Sequence, residues 1–568
     1  MSKCLMSLLS NIFERQPIEV QKRNGFDLSH LVTGSSKCGQ LVPVLTRLMM
    51  PASKWTLGAS VRCELPPLAT DFFGRIDFVL EAFYTPCSAL YGGWRQFISN
   101  QLSTSFTAAQ DPYLITQGYQ VPYIDMSVDD VARAEMSLAD TNDSVLQYLG
   151  YVFKPVRGAQ SPAVNLKINL LPLLCYHRIC DVYYRNPQVT KTWFAVNPNS
   201  DFDEATGNAK NVSLIWHSYY STEEWAGDSP ENSGQGANFI TLAQLTFPDG
   251  VSVFSTRQRT YARDYFTSAS VDPQQGNPSK LSFSVDGDSN VGEFTISSLR
   301  AANSLQKFLE ANNYTYDYSG SMVAQFGERP SDNLHDEPVY LGRLVIPVYN
   351  KSVYQAVNTS NTQGSSNPFV GGGSLGAKGA SGSFVGEGSL CSKFHNKEFG
   401  YLMVLASLVP HTMYNYGLSR ELMRRLIGDY PFPLLQGVGM DAIKDYEVYF
   451  AQDTDVSSDF AYIPRYSFEK YICDRAVGEL RPGKTLSSFV LQRSFDEAPE
   501  FGTEFCTIPQ DALDGVLALD TAVTKLTCWW EIFFSFKVSM PLAEFCVPTL
   551  GDLKDTKTII TKQGGSRL

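Results

Sequence analysis

Residues 478–485, GELRPGKT, fit the phosphate-loop pattern G-x-x-x-x-G-K-[ST] at every required position. In such a loop Gly478 and Gly483 let backbone N–H groups crowd around phosphates. Lys484 reaches the outer phosphates and Thr485 holds magnesium. That chemistry needs a buried strand before the loop and a helix after it. The preceding EKYICDRAV puts Asp474 and Arg475 where a buried parallel strand is near-continuously apolar, and Pro482 removes a backbone donor from the cradle. VLALD (516–520) imitates a magnesium-binding aspartate segment, but Thr521 follows it rather than an acid. The octapeptide is expected to be a turn.

Other candidates fail on context as well. GGSLG (372–376) matches the G-x-S-x-G nucleophile pattern but sits in a Gly/Ser tract, without the strand and helix that a hydrolase elbow needs. CYHRIC offers Cys175, His177 and Cys180, yet no second pair stands at a spacing that would complete a tetrahedral zinc site. On a helix the three do not share one face, and packing is the expectation. Paired carboxylates such as Asp129–Asp130 are adjacent and point apart, whereas glycosidase chemistry needs two carboxyls across a cleft. IWHSYYSTEEWAGD (215–228) interleaves Trp216, Tyr219, Tyr220 and Trp225 with Glu223 and Glu224. This mix suits stacking on sugar rings, and it equally suits packing of the segment's own core. No catalytic centre, metal site or cofactor is expected.

Two strands are the clearest elements. RIDFVLEAFYTP (75–86) alternates, with Ile76, Phe78, Leu80, Ala82 and Tyr84 on one face, and predicts a half-buried strand. WEIFFSFKVSM (530–540) repeats the pattern with Ile532, Phe534, Phe536, Val538 and Met540. Strands so far apart in the chain imply that its two ends meet in one antiparallel sheet system. Helices are expected at DSVLQYLGY, capped by Asp143, at NLLPLLCYHRICDVYYRNP (169–187), and at the amphipathic LSRELMRRLIGDYP (418–431) with its Gly428 stop. Residues 190–395 are richer in Asn, Ser, Gly and Thr. Within them, 364–389 hold nine Gly and six Ser and predict a mobile loop or extended arm. No internal repeat is visible.

Composition bounds the function. Hydrophobic residues are 43% and aromatics 12%, which excludes a disordered chain. Charged residues are 18%, below the roughly 25% usual for soluble domains. A charge-poor, aromatic-rich surface fits protein–protein interfaces, and hence an assembly subunit. Net charge is −12, so the chain alone neutralises little nucleic acid. The exceptions are the ends, each net +2, where Lys3, Arg15, Lys22 and Arg23 at one and Lys554, Lys557, Lys562 and Arg567 at the other could touch a polyanion. Eleven scattered cysteines without C-x-x-C pairs fit reduced thiols in a cytosol. The longest apolar run, YLMVLASLV, stops at Pro410, too short for a membrane span. The first residues space their apolar side chains as a short amphipathic arm, not as a signal peptide.

An ordered set of segments resembles the major capsid proteins of microviruses, particularly the gokushovirus-like branch. KRNGFDLSH, GQLVPVL and RCELPPLATDFFGRIDFVLEAFYTPCSALYGGWRQFI resemble the family's amino-terminal part. INLLPLLCYHRICDVYYRNPQ resembles its aromatic helix. GYLMVLASLVPHTMYNYGLSRELMRR, IPRYSFEKYICDRAVGELR, LSSFVLQRSF and SMPLAEFCVPTLGDL resemble successive carboxyl-terminal blocks. PASKW in place of a PGD turn, and the shortened FFGR segment, are departures.

The resemblance makes Phe26, Asp27, Leu28, Ser29, His30, Trp94, Phe97, Arg475, Gly478 and Arg481 structural motif residues. It implies a mainly β fold, a single eight-stranded antiparallel jelly-roll barrel with long helix-containing loop insertions. The expected organisation is an arm at 1–25, barrel core at 26–194 and 396–550, an outward insertion at 195–395 and a tail at 551–568. The implied function is a T=1 icosahedral shell around circular single-stranded DNA, assembled in a bacterial cytoplasm and residing in the virion. Implied partners are other copies of the chain, the packaged DNA, a small basic DNA-binding protein, a minor spike or pilot protein, and a host-surface receptor that includes glycan among its candidates. The competing readings are a carbohydrate-binding or glycan-cleaving β protein using 215–228, and a nucleotide-driven packaging enzyme using 478–485.

Overall fold

The computed structural model describes residues 23–66, 73–90, 144–151, 167–190, 254–273, 296–312, 337–354, 378–451, 455–517 and 527–542. It leaves short gaps at 416, 437–438, 494, 496 and 515, and adds a few isolated positions, among them Leu68, Trp94 and 123–125. The fold is mainly β with antiparallel sheets. Its strands are β1 (Asn24–Asp27), β2 (His30–Ser36), β3 (Val42–Met49), β4 (Lys54–Glu64), β5 (Arg75–Pro86), β6 (Tyr123–Asp125), β7 (Lys167–Asn169), β8 (Val339–Pro347), β9 (Tyr349–Tyr354), β10 (Lys378–His395), β11 (Gly400–His411), β12 (Met440–Lys444), β13 (Asp459–Pro464) and β14 (Cys528–Met540).

One sheet runs β1-β14-β4-β10-β9, with β2 also paired to β14; a second runs β3-β11-β5-β8. The ends of the chain do meet: β14 pairs with β1 and β2 on one side and with β4 on the other. The eight-stranded closed barrel is not what forms among the described residues. These two sheets, of six and four strands, face each other without closing.

On β14 the expected alternation holds. Ile532, Phe534, Phe536 and Val538 are buried, while Phe533, Ser535 and Lys537 are exposed. They meet Trp55, Leu57 and Val61 of β4, Phe78 and Leu80 of β5, and Leu402 and Val404 of β11 in the main core. Each such side chain contributes about 1.5–3 kcal/mol on burial.

On β5 the expectation of one wet face fails, because β5 is buried on both. The helix Leu171–Tyr183 lies over the sheet, and Leu173, Leu174, Tyr176 and Ile179 form a second core with Phe83, Met403 and Leu405. Asp77 and Glu81, the polar alternates that read as solvent-facing, are only 4% and 7% exposed. Asp77 is bonded by Arg75 (2.7 Å) and His411 (2.9 Å). Glu81 is bonded by Arg259 (2.6 Å) and the Tyr184 hydroxyl. A buried carboxylate is tolerated only with such partners. The run YLMVLASLV is β11, central in its sheet and near-continuously buried.

Three further expectations are corrected. The tract 364–389 is not all loop, because 378–389 belong to β10, hydrogen-bonded to β4 and β9. Its glycines let the facing sheet approach: a Cβ at Gly386 would come within 2.7 Å of Ile346, and one at Gly388 within 2.5 Å of Leu344. Hence 339–354 and 378–395, drawn as part of an outer insertion, supply strands of the sandwich. The helix after Asp143 exists at Val145–Leu149, but Ser144 caps it by accepting from the Leu146 N–H (3.3 Å), and Gly150 closes it in the left-handed region. The helix expected at 418–431 does not form; two 3-10 turns, Arg420–Met423 and Ile427–Asp429, stand there instead.

Candidate assembly surface

The residues of that failed helix form the most exposed apolar stretch of the described chain. Leu422, Leu426, Ile427, Tyr430, Phe432 and Leu434 all point outward, Ile427 at 80% and Leu434 at 95% exposure. Ile472, 88% exposed, belongs to the neighbouring 471–477 loop. A helix this short is marginal in water unless a tertiary surface takes its apolar face, and none does among the described residues. Pro431 and Pro433 hold the residues before them, Tyr430 and Phe432, extended, and a third 3-10 turn, Pro433–Leu435, follows.

What keeps this arm in place is polar and lies underneath it. Leu418 N–H donates to the Tyr446 carbonyl (2.7 Å). Arg420 turns inward to the Ala442 carbonyl, Glu447 (3.2 Å) and Asp441 (3.7 Å). Glu447 also accepts from the Tyr265 hydroxyl (3.0 Å) and the Lys444 N–H (3.2 Å). Burial pushes its carboxyl up from the ordinary range, with Arg420 pulling against that. Arg424 pairs with Glu469 and lies over the Phe468 ring.

Asp429 closes the arm's turn, accepting from the Arg425 (2.9 Å) and Leu426 (2.8 Å) N–H groups; these bonds hold its carboxyl below the usual range. Tyr466 has a φ of 62°, a conformation that costs a non-glycine residue about 1–3 kcal/mol. Asp441 holds it there through its N–H (3.0 Å), and its hydroxyl accepts from the Phe432 N–H (3.1 Å). The arm is a row of apolar teeth on a bolted base.

A second exposed apolar patch lies on the outer face of the six-stranded sheet. Leu31 and Phe533 are cross-strand partners there, and Trp529 donates its indole N–H to Glu64 (3.2 Å). Such patches on a soluble subunit mark interaction surfaces.

The motif residues at the amino-terminal end cluster in space. Asp27 accepts from the Ser29 N–H (3.0 Å) and hydroxyl, which lower its carboxyl below the ordinary range. That turn carries the chain from β1 to β2 along β14. Leu28 N–H bonds the Phe536 carbonyl (2.8 Å) and Ser29 Oγ accepts from the Phe536 N–H (3.1 Å). The His30 ring lies 5.5 Å from that of Phe534, and Phe26 stands opposite Val538. Trp94 packs on the second core, its ring 6.0 Å from Phe399.

The octapeptide 478–485 is a surface turn with no strand before it. Gly478 and Gly483 take φ of +67° and +74°, and the Thr485 hydroxyl donates to Glu479 (2.9 Å). Arg481 reaches the Asn415 carbonyl (3.3 Å), while Arg475 stays exposed. Cys175, His177 and Cys180 are all buried in the second core, and no three metal-type ligands converge among the described residues. The nine described cysteines are free.

Arg23 is described, at the start of β1. Lys3, Arg15 and Lys22, all four carboxyl-terminal basic residues, Phe97, and Trp216, Tyr219, Tyr220, Glu223, Glu224 and Trp225 lie outside the described residues. The arm at 420–435 was missed as a surface because its spacing reads as a helix with a buried face. The prolines at 431 and 433 were the signal against that.

A comparison with curated proteins found no match. The family model described as capsid protein (F protein), Phage_F, matches residues 17–550 and so takes in both sheets, the arm and the second core. The chain belongs to the phage capsid protein F family.

Proposed function

We propose that this chain is the major capsid subunit of a microvirus, and that its copies close into a T=1 icosahedral shell around circular single-stranded DNA. The observation that carries this reading is the family match over 17–550. The strand arrangement supports it. The chain places β1/β2, β4, β9/β10 and β14 in one sheet and β3, β5, β8 and β11 in the other, switching sheets at each step except from β5 to β8, the order of a jelly roll with two Greek keys. Two sheets that bury each other leave edges and loops free for neighbouring copies.

A net charge of −12 leaves most of the DNA phosphate to counterions or to a separate small basic protein. The basic ends, Lys3, Arg15, Lys22 and Arg23 with Lys554, Lys557, Lys562 and Arg567, are the chain's own contribution to the DNA side. The receptor contact on this reading belongs to Trp216 and Trp225 of the 195–395 insertion, whose segments 254–273, 339–354 and 378–395 pack with the sandwich instead. The subunit works by binding its neighbours and carries no catalytic step.

Electron microscopy of the purified protein, with extraction of nuclease-resistant DNA, tests this. Uniform small shells containing circular single strands support the reading. Dispersed monomers with sugar-dependent activity contradict it.

A further inference from the structure

A cleft of about 1090 Å³ opens between the 482–493 and 495–516 segments. It exceeds the roughly 300–1,000 Å³ usual for small-molecule pockets, and is large enough for a chain segment. Its lining is mixed: Phe495, Pro499, Phe501, Pro509 and Ala512 are its accessible apolar side chains, while Val490, Leu491 and Phe505 are already buried in the cores behind it. The cation within it, Arg493, is occupied. It lies against the rings of Phe505 (4.1 Å) and Tyr261 (4.6 Å) and donates to the Phe505 carbonyl (2.7 Å). The rim is acidic, carrying Glu497, Glu500, Glu504 and Asp511.

The apolar arm has the opposite character. Its teeth expose on the order of several hundred Å², the size at which a patch on a monomer marks an interaction site. Arg425, in the middle of it, is exposed, and its charge otherwise acts on Asp429 of its own turn. The polar base fixes the teeth before any partner arrives, so little ordering entropy opposes docking.

We infer that the arm at 420–435 of one subunit seats in the acidic-rimmed cleft of a second copy, with Leu434 and Ile427 packing beside Phe495 and Phe501 and Arg425 meeting the rim. Arm and cleft are different surfaces, so the contact is head-to-tail and generates a ring when the rotation closes. This rests on the capsid reading and adds which two surfaces carry the contact.

The test uses full-length chain. Leu434→Cys and Ala512→Cys are made in separate preparations, mixed and assembled, so that any cross-link by a short bis-maleimide joins two copies. Because Leu434 is exposed, its replacement leaves the melting temperature of the free subunit unchanged. The expected result has two parts. The introduced thiol at 434 reacts with maleimide at least tenfold more slowly in shells than in dissociated subunits, and the mixed shells yield cross-linked dimers on a denaturing gel that shells of either variant alone, which keep the native free cysteines, do not. Shells in which that thiol reacts freely overturn the inference alone, as does a protected thiol that never cross-links to position 512. Failure of the unaltered chain to form shells overturns the capsid reading and this inference with it.

Discussion

Asp429 holds the arm's turn as a carboxylate, through two backbone N–H groups, and the sign of its pH dependence follows. Its folded pKa lies below the ordinary 3.8, so the stabilisation is present above that value and is lost as pH falls through the depressed one. Hydrogen exchange at the Arg425 and Leu426 amides is expected to quicken below about pH 3.8 beyond the intrinsic rate. Asp429→Asn, which keeps an acceptor oxygen without titrating, is expected to flatten that dependence. Unchanged protection of the two amides at low pH would contradict the role given to Asp429.

Gly417, just before the arm, is set by space rather than by φ. A Cβ there would lie 1.8 Å from the Glu447 carbonyl oxygen. Gly417→Ala is expected to destabilise the subunit by about 1–3 kcal/mol through that overlap. Chemical denaturation measures it, and an unaltered midpoint would show that the backbone gives way freely.

At the scale of elements, β14 carries its own control. Phe534 is fully buried between the sheets and Phe533, its neighbour, is 47% exposed. Phe534→Ala is expected to cost about 3–5 kcal/mol in the free subunit. Phe533→Ala is expected to stay within about 0.5 kcal/mol there, as surface changes do, while weakening assembly if that face meets a neighbour. Equal losses in the free subunit would mean that the strand's two faces are not distinct.

This strand was legible in the sequence because its period-two alternation coincides with one wet face. On β5 the alternation was equally visible, but its polar members were misread. Asp77 and Glu81 are buried with partners from distant segments, His411 and Arg259, which no local pattern reveals. The Gly/Ser tract failed for a related reason. Glycine at 386 and 388 signals missing bulk, and whether the space is filled by water or by Ile346 and Leu344 is decided by the facing sheet. At 418–431 the apolar periodicity was real, but a helix needs something to bury that face, and among the described residues nothing does.

At the scale of the whole molecule, the family was legible from blocks near both ends, FDLSH and the 475–481 turn among them. FDLSH is the corner where β1 and β2 cross β14, so the first and last strands of the chain are tied by its hydrogen bonds. The surfaces that do the work of assembly were much less legible, since exposure is a property of the finished fold. A subunit with an unpartnered apolar arm, an acidic cleft and few surface charges is incomplete alone. Its account stands on the claim that these surfaces are satisfied by other copies.

The most direct test of that claim is the mass of the purified full-length protein in solution, by sedimentation velocity or mass photometry. On the T=1 proposal, sixty copies of a 63.1 kDa chain would make a closed particle of about 3.8 MDa, and one sharp species at that mass is the predicted result. A chain that stays at 63.1 kDa at high concentration, with its arm still exposed, would contradict it.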